Sequence, residues 1–226
     1  MAINLILLTH RRGALICISK NNFSELTEEF LFEKYDIFAV HKKIIYEHYE
    51  YFFDDSKSTI CARVLAKTAE NLSHIFDFCC KNLLIESSQI ENVFIGIGPG
   101  SFTGLRLGCA FINGMKLAQK FEIYPVKTFL VSEVLQKFES LRDNISPQTK
   151  QVFPPHKKSE ELKSLFLKEI SDFNSTDDSS GFIAFADLFL SLQQIKSKTL
   201  NPIEYALPAY GKEPTPVLIM NKGKIT

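Results

Sequence analysis

The sequence predicts an α/β fold in which antiparallel strands come first and alternating helices and strands follow. Two short apolar segments, residues 4–8 and 14–18, flank Arg11-Arg12-Gly13 and indicate a hairpin that opens a sheet. Farther along, a segment of helical spacing leads to an apolar strand, a glycine-rich turn and a second helix. Strand, helix, strand and helix in this order are typical of an α/β domain with parallel pairing.

The individual elements follow from the spacing of the apolar residues. Residues 37–40 and 44–53 are rich in aromatic and β-branched side chains and predict one or two further strands. Apolar residues recur at helical spacing from 59 to 84, which predicts a long amphipathic helix. The apolar segment 181–195 is compatible with either a strand or a helix. The remaining predictions are strands at 93–97, 122–126 and 217–220, and helices at 105–121, 129–138 and 159–173.

The composition changes in the second half of the chain. Residues 145–158 contain three prolines among many polar residues, which is typical of a linker. We therefore expect an N-terminal α/β subdomain at 1–127, which carries the glycine-rich turn, and a shortened C-terminal subdomain at 128–226. The boundary falls between 127 and 158.

Charge and cysteine usage narrow the class of protein. Lys and Arg number 26 and Asp and Glu number 26, so the chain has no net positive charge that would attract it to nucleic acid or to an anionic membrane. The five cysteines form no CxxC pair and lie mostly within apolar segments, which favours reduced, buried thiols over a disulfide framework. The apolar run at 3–8 is too short for a signal-peptide core or a membrane span. We therefore expect a cytoplasmic protein without membrane contact.

The glycine-rich stretch at residues 92–108, NVFIGIGPGSFTGLRLG, predicts a buried strand, a tight turn and a helix start. Two interpretations of the turn stay open. Its backbone N–H groups are able to cradle an anion, since the first N–H groups of a helix lack internal partners. Alternatively the glycines only permit tight packing, with Gly104 and Gly108 letting the second helix lie close beside the long helix before it.

No familiar catalytic motif fits this turn. The P-loop pattern lacks its lysine, the dinucleotide pattern has Ser101 in place of its third glycine, and the hydrolase elbow has Pro99 two residues before the serine. The five histidines form no cluster of metal-ligand spacing. Asp54-Asp55 and Asp177-Asp178 occur in turn-like settings. The residues therefore predict no catalytic group and no metal.

The segment 98–108, GPGSFTGLRLG, resembles the signature of the TsaB (YeaZ) family. Members of this family are non-catalytic subunits of the bacterial machinery that places threonylcarbamoyl on the adenosine next to the anticodon of certain tRNAs. The similarity extends to residues 69–84, 93–97 and 124–128 and to the helix up to Ala118. The resemblance implies an actin-like ATPase fold (ASKHA, ribonuclease H-like) with two related α/β subdomains, the second of them reduced here.

The resemblance also implies a function and partners. It implies a scaffold that pairs with a TsaD-like catalytic subunit, is joined by a TsaE-like ATPase and reaches tRNA only through the complex. The same surface would form a homodimer when the paralogue is absent, and no cofactor is implied, with ATP only at the complex. The implied partner interface comprises Leu72, Ile75, Phe76, Cys79, Phe111, Ile112 and Met115. The implied anion or nucleotide contacts comprise Gly98, Pro99, Gly100, Ser101, Phe102, Thr103, Gly104, Arg106 and Gly108.

The chain departs from the family at the end of its first strand. Family members carry Asp-Thr-Ser or a similar triplet there, where active relatives of the fold hold nucleotide phosphate and metal. Here the chain reads Leu7-Leu8-Thr9-His10-Arg11, without an acid, and it lacks the His-x-x-x-His metal pair of the catalytic paralogues. We therefore expect no catalysis by this chain. The alternative is a divergent ATP-binding phosphoryl- or acyl-transferase of the same fold.

Overall fold

The computed structural model describes residues 2–11, 13–23, 44–46, 49–53, 58–64, 67–130, 133–134, 137 and 179–210. The predicted strands at 37–40 and 217–220, the predicted helix at 159–173 and the predicted linker at 145–158 lie outside these residues. The division of the chain into two subdomains therefore stays a prediction.

Seven strands of the described residues form one sheet in the order β3-β4-β5-β2-β1-β6-β7. The strands are β1 (Ile3–Leu8), β2 (Ala14–Ser19), β3 (Ile44–Tyr46), β4 (Tyr49–Phe53), β5 (Thr59–Val64), β6 (Ile90–Gly98) and β7 (Glu122–Lys127). The helices are α1 (Thr68–Leu83), α2 (Phe102–Ala118) and α3 (Ser179–Lys196), with a 3₁₀ turn at Ser87–Gln89.

The pairing of the strands has the predicted antiparallel and parallel parts. β1 pairs with β2 antiparallel, and β2 continues antiparallel to β5. On its other side β1 pairs with β6 parallel, and β6 pairs with β7 parallel. Helix α1 connects β5 to β6, and α2 connects β6 to β7, as crossover connections between parallel strands require. The predicted α/β class, with an antiparallel block before βα units, is confirmed.

The long helix predicted at 59–84 is wrong in its first part. Residues Thr59–Val64 form strand β5, and α1 begins only at Thr68. All six residues of β5 are buried, so the strand lacks the polar alternation that marks a half-exposed strand. With Arg63 among its apolar residues, this short segment fits a strand or a helix equally well by spacing. The apolar segment 181–195, which fitted either element, lies within α3.

One hydrophobic core lies between the sheet and helices α1 and α2. Alternate residues of β1, Leu5 and Leu7 among them, point into it, as the period of two in a strand requires. Helix α1 contributes Leu72, Ile75 and Cys79, and α2 contributes Ile112. The core therefore fixes both helices on one face of the sheet.

The cysteines differ from the prediction at one pair. Cys17 and Cys61 are directly opposite each other on β2 and β5, with their Cα atoms 4.1 Å apart, and they form a disulfide. The prediction of five reduced thiols was wrong for this pair, because the strand register joins residues 44 positions apart in sequence. Cys79, Cys80 and Cys109 are buried, unpaired thiols as predicted. Burial raises the pKa of Cys80 and of Cys109 to about 11, so both stay protonated at neutral pH.

None of the helices in the described part of the chain has the length and apolar character needed to cross a membrane.

Candidate functional site

The candidate site is the edge of the sheet where β1, β6 and β7 end. These three strands run parallel, so their carboxyl ends lie side by side. Ligands of open α/β sheets bind outside such an edge. The segments that leave it are Thr9–Arg11 after β1, Pro99–Ser101 after β6, and Thr128 and Phe129 after β7.

The glycine-rich turn has the predicted strand–turn–helix geometry. Gly98 has a φ of 133°, in the region that favours glycine. Ser101 is the N-cap of α2, and its side-chain oxygen accepts a hydrogen bond from the backbone N–H of Gly104 at 3.3 Å. The backbone N–H of Ser101 donates to the carbonyl of His10 at 2.7 Å. The turn is therefore tied directly to the segment that follows β1.

The glycines of the signature allow the turn and α2 to lie against that same segment. A Cβ on Gly100 would be 2.5 Å from the Cβ of His10, and a Cβ on Gly104 would be 2.0 Å from the carbonyl oxygen of Thr9. A Cβ on Gly108 would be 2.2 Å from the hydroxyl oxygen of Thr9. The expectation that Gly104 and Gly108 pack beside the preceding long helix was therefore wrong. Their close neighbour is the end of β1.

Four side chains of the signature lie on the surface. Ser101, Phe102, Thr103 and Arg106 are exposed, Phe102 by 38%. The guanidinium of Arg106 lies 5.2 Å from the centre of the Phe102 ring, and that ring lies 4.6 Å from the ring of Tyr210. These contacts form a small cation–π and aromatic cluster at the start of α2. The assignment of signature residues to anion or nucleotide contacts stays a prediction.

The segment 206–210 holds Tyr210 in this aromatic cluster. Ala206 exchanges two hydrogen bonds with the side-chain amide of Asn113 on α2, at 2.8 and 2.9 Å. The backbone N–H of Ala209 then donates to the carbonyl of Ile97 at 2.6 Å. The carbonyl of Ala209 lies where a side chain on Gly98 would be, only 2.1 Å from its would-be Cβ. The segment 206–210 is thus fixed along α2 and the end of β6.

The residues expected at a partner interface mostly build the core instead. Leu72, Ile75, Phe76, Cys79 and Ile112 are buried, and Phe111 and Met115 are half-buried against the same core. They therefore form no exposed apolar patch on this chain. Their role in partner binding stays a prediction.

The outer face of α2 presents small residues instead. Ala110, Gly114 and Ala118 are exposed, and a Cβ on Gly114 would meet no atom within 4 Å. Leu117 on this face is 84% exposed.

A buried ion-pair cluster, which the sequence did not predict, lies at the same edge of the sheet. The carboxylate of Asp187 on α3 accepts hydrogen bonds from Arg11 Nε at 2.8 Å and from the terminal guanidinium nitrogen Nη2 at 2.9 Å. His10 Nε2 lies 3.0 Å from Oδ2 of the same carboxylate, in an electrostatic contact rather than an aligned hydrogen bond. Arg11 also donates to the carbonyl of Phe129 at 3.1 Å. The cluster joins the ends of β1 and β7 to α3.

The electrostatics of the cluster keep Asp187 ionised. Burial alone would raise the pKa of this carboxyl, but the adjacent His10 and the charge and hydrogen bonds of Arg11 outweigh it and hold the pKa below its usual value. Asp187 is 5% exposed and its two oxygens are directed at Arg11. It is therefore placed as a structural counter-ion and does not face solvent as a general base.

Besides Nε2 of His10, two buried polar atoms at the cluster lack a hydrogen-bond partner among the described residues. They are the hydroxyl oxygen of Thr9 and Nδ1 of His10. Over the same described ranges, no three His, Cys, Asp or Glu side chains come together as metal ligands do.

One feature of the sequence points to Asp187. It is the only charged residue in the apolar segment FIAFADLFLSL, and a charge inside an apolar helix is retained when it has a buried partner. The partner itself is not visible in the sequence, because Arg11 lies 176 positions earlier.

Comparison with known proteins gives one family match. A model of the TsaD family, described as tRNA N6-adenosine threonylcarbamoyltransferase, matches residues 63–140. This range contains α1, β6, the glycine signature, α2 and β7. No protein of curated function matches the sequence.

Two solved structures are also similar to the chain. One is YeaZ from Pseudomonas aeruginosa, with 13% sequence identity, a TM-score of 0.40, and coverage of 63% of this chain and 49% of that chain. The other is an uncharacterized protein with similarity to peptidase YeaZ from Pseudomonas aeruginosa, with 14% identity, a TM-score of 0.41, and coverage of 64% and 50%. The chain therefore spans about half the length of these proteins.

The family match confirms the resemblance predicted from the glycine signature. Residues 63–140 of the chain are similar to the TsaD family. Its mixed sheet with βα units is an α/β fold, and the actin-like ATPase class stays what the resemblance implies.

Proposed function

We propose that this chain is a TsaB-like scaffold subunit of the tRNA threonylcarbamoyladenosine system, which holds and activates a TsaD-like catalytic protein and performs no chemistry itself. The observation that supports this most strongly is the filled carboxyl edge of the sheet. The crevice where an α/β enzyme binds its ligand is here crossed by the ion pairs of His10, Arg11 and Asp187.

The contacts of the signature residues support a structural role, in which they fix the position of α2, rather than a catalytic one. Its glycines hold the turn and α2 against the end of β1, so the position and direction of α2 are fixed by backbone contact. The hydroxyl of Ser101 is used to cap α2, and no hydrogen bond joins it to a histidine of the described residues. A helix set rigidly on a sheet is a suitable platform for another protein.

We place the contact with the TsaD-like partner on the outer face of α2. This face combines the small residues Ala110, Gly114 and Ala118, which permit close approach of another backbone, with the exposed Leu117. Leu72, Ile75 and Ile112 support this face from below, because they hold α1 and α2 on the sheet. The further parts of the proposal are a TsaE-like ATPase in the complex, indirect contact with tRNA, a homodimer through the same face, and a cytoplasmic location.

Co-purification with the TsaD-like protein of the same organism tests this proposal. Wild-type chain is expected to retain the catalytic protein on an affinity column, and Leu117→Asp is expected to lose at least about tenfold of that binding, because a charge enters the apolar contact. Leu130→Asp is the matched control, since Leu130 is 53% exposed at the other end of the sheet. Loss of binding in both variants, or in neither, would contradict the placement on α2.

Calorimetry with ATP and Mg²⁺ separates the scaffold from the transferase alternative. The scaffold proposal predicts no ATP binding by the isolated chain in the micromolar range. Micromolar binding would instead favour a divergent phosphoryl- or acyl-transferase of the same fold.

A further inference from the structure

Strand β7 is the last strand of the sheet at one side, over the residues that the structure describes. One side of its backbone pairs with β6, so the backbone groups of alternate residues face away from the sheet. The strand contains Ile123, Tyr124 and Val126, residue types that favour β-structure. An uncovered edge strand of this kind is a template for pairing with another chain. The outer side of β7 therefore needs to be closed by the chain itself.

Helix α3 closes one end of this outer side with a side-chain amide. Nε2 of Gln194 donates to the carbonyl of Lys127 at 2.8 Å, and Oε1 of Gln194 accepts from the backbone N–H of Lys127 at 3.0 Å. The glutamine side chain offers a carbonyl and an N–H donor, as a peptide group does, so this contact replaces one residue of a neighbouring strand. Nε2 also lies 3.4 Å from the carbonyl of Leu190, which holds the amide against its own helix.

The chain after α3 closes the other end. Residues 197–210, which we call the edge strap, run from α3 past β7 to α2. Ile203 forms an isolated antiparallel bridge with Ile123, and its N–H donates to the Ile123 carbonyl at 2.8 Å. Farther along, the two-point contact between Ala206 and the side-chain amide of Asn113 fastens the strap to α2. The strap is thus held on the strand and on the helix beside it.

A proline lies between the two closed ends. Residues that face the same way along a strand are two apart, so Pro125 lies on the outer side between Ile123 and Lys127. Proline has no N–H for a neighbouring strand and is found in sheets mainly at such edges. The three outward-facing residues of β7 are therefore blocked by three different means, which are the bridge to Ile203, the proline ring and the Gln194 amide.

We propose that Gln194, Pro125 and the edge strap form a device that closes β7 against pairing with a second copy of this chain. When the amide and the proline are both replaced, the outer side of β7 pairs with β7 of a second copy. The two strands run antiparallel, because a two-fold axis relates the two copies of the same edge. This dimer is different from the homodimer proposed through the outer face of α2, and the inference does not rest on the scaffold role.

The molecular mass in solution tests the proposal, by size-exclusion chromatography with light scattering. All variants carry Leu117→Asp, so that a dimer through the outer face of α2 does not contribute. Adding Gln194→Ala and Pro125→Val is expected to raise the dimer fraction at equal concentration by at least about tenfold. The matched control carries Lys196→Ala in place of Gln194→Ala, since Lys196 is half-buried in the last turn of the same helix. The control is expected to stay monomeric.

Hydrogen exchange measured by NMR assigns the effect to β7. In monomeric Gln194→Ala, the backbone N–H of Lys127 is expected to exchange at least about tenfold faster than in the wild type, because its acceptor is gone. In the dimer the same N–H is expected to be protected again. Unchanged exchange at Lys127, a dimer that the control forms equally, or a dimer without protection of β7 would overturn the proposal.

A second substitution covers failure to fold. If Gln194→Ala does not fold, Gln194→Met replaces it, since it keeps the length of the side chain and removes the amide. Failure of both variants to fold would contradict a role that is confined to the edge of the sheet. None of these outcomes depends on binding of the TsaD-like protein, so the scaffold proposal is tested separately.

Discussion

Two parts of the carboxyl edge of the sheet are built in opposite ways. The glycine turn between β6 and α2 meets the end of β1 by backbone contact, with no room for a side chain at Gly100 or Gly104. The ion-pair cluster meets the same end of β1 by charge, through Asp187 of α3. The first contact is possible only because the glycines have no side chain, and the second is made by one pair of opposite charges. The comparison shows that the glycine turn and the ion-pair cluster, although built differently, both pack against the end of β1 at the carboxyl edge of the sheet.

We expect the largest loss of stability when a methyl group is added at Gly104, in the contact between α2 and the end of β1. Gly104→Ala places a Cβ 2.0 Å from the carbonyl oxygen of Thr9, a backbone atom that cannot move aside alone. We expect a loss of about 3 kcal/mol or more in the free energy of unfolding, measured by urea denaturation. Gly114→Ala in the same helix is the control, because nothing lies within 4 Å of its would-be Cβ. It is expected to stabilise the protein by about 0.5–1 kcal/mol. Equal effects of the two variants would refute the backbone-contact account.

At the ion-pair cluster, we expect mutation of Arg11 and mutation of Asp187 to lower the stability by different amounts. Arg11→Gln leaves the buried carboxylate of Asp187, 4% exposed in its side chain, without its main partner, and should cost about 3 kcal/mol. Asp187→Asn leaves the guanidinium of Arg11, which is 27% exposed and reaches water, and should cost about 1 kcal/mol. Urea denaturation of both variants at neutral pH measures the difference. A larger loss in Asp187→Asn would show that the charge of the edge, and not burial of the carboxylate, dominates.

The pH dependence of stability sharpens the same contrast. The folded-state pKa of Asp187 lies below its unfolded value, so its contribution is present above the unfolded pKa of about 4 and is lost as the pH falls through the folded pKa. Wild type should therefore lose more stability between neutral pH and pH values below about 4 than Asp187→Asn does. Unfolding free energies measured along this range provide the comparison. Parallel curves for the two proteins would contradict ionisation of Asp187 in the cluster.

The smallest effect is expected at the N-cap of α2. Ser101→Ala removes the acceptor for the backbone N–H of Gly104, at a cost of about 0.5–1 kcal/mol. Thr103→Ala, which changes an exposed residue in the first turn of the helix, is the control and should be nearly neutral. A loss larger than that of Gly104→Ala would mean that capping, and not close approach, sets the position of α2.

The sequence predicted the first contact far better than the second. The signature turn, β6, α2 and β7 are neighbours along the chain, so spacing and the glycines predicted them in order. The neighbour of Gly104 was predicted wrongly, because the pattern shows that a close approach is needed but not which element makes it. The pairing of Asp187 with Arg11 and of Cys17 with Cys61 depends on strand register and helix docking across 176 and 44 positions. Local propensity carries no information at that distance.

The same reason explains the error at Thr59–Val64. Strand β5 is buried on every residue, and its sequence has no strict alternation of apolar and polar residues. The strong periodic signal of the helix that follows was therefore extended over it. Tertiary burial, which the sequence does not display, decided the element.

The most direct test of the central claim is threonylcarbamoylation of tRNA by the purified TsaD-like protein of the same organism, with its TsaE-like ATPase, in the presence and absence of this chain. The scaffold account predicts strong activity only when the chain is added and none from the chain without the catalytic protein. Full activity of the catalytic protein without the chain, or activity of the chain by itself, would contradict the account.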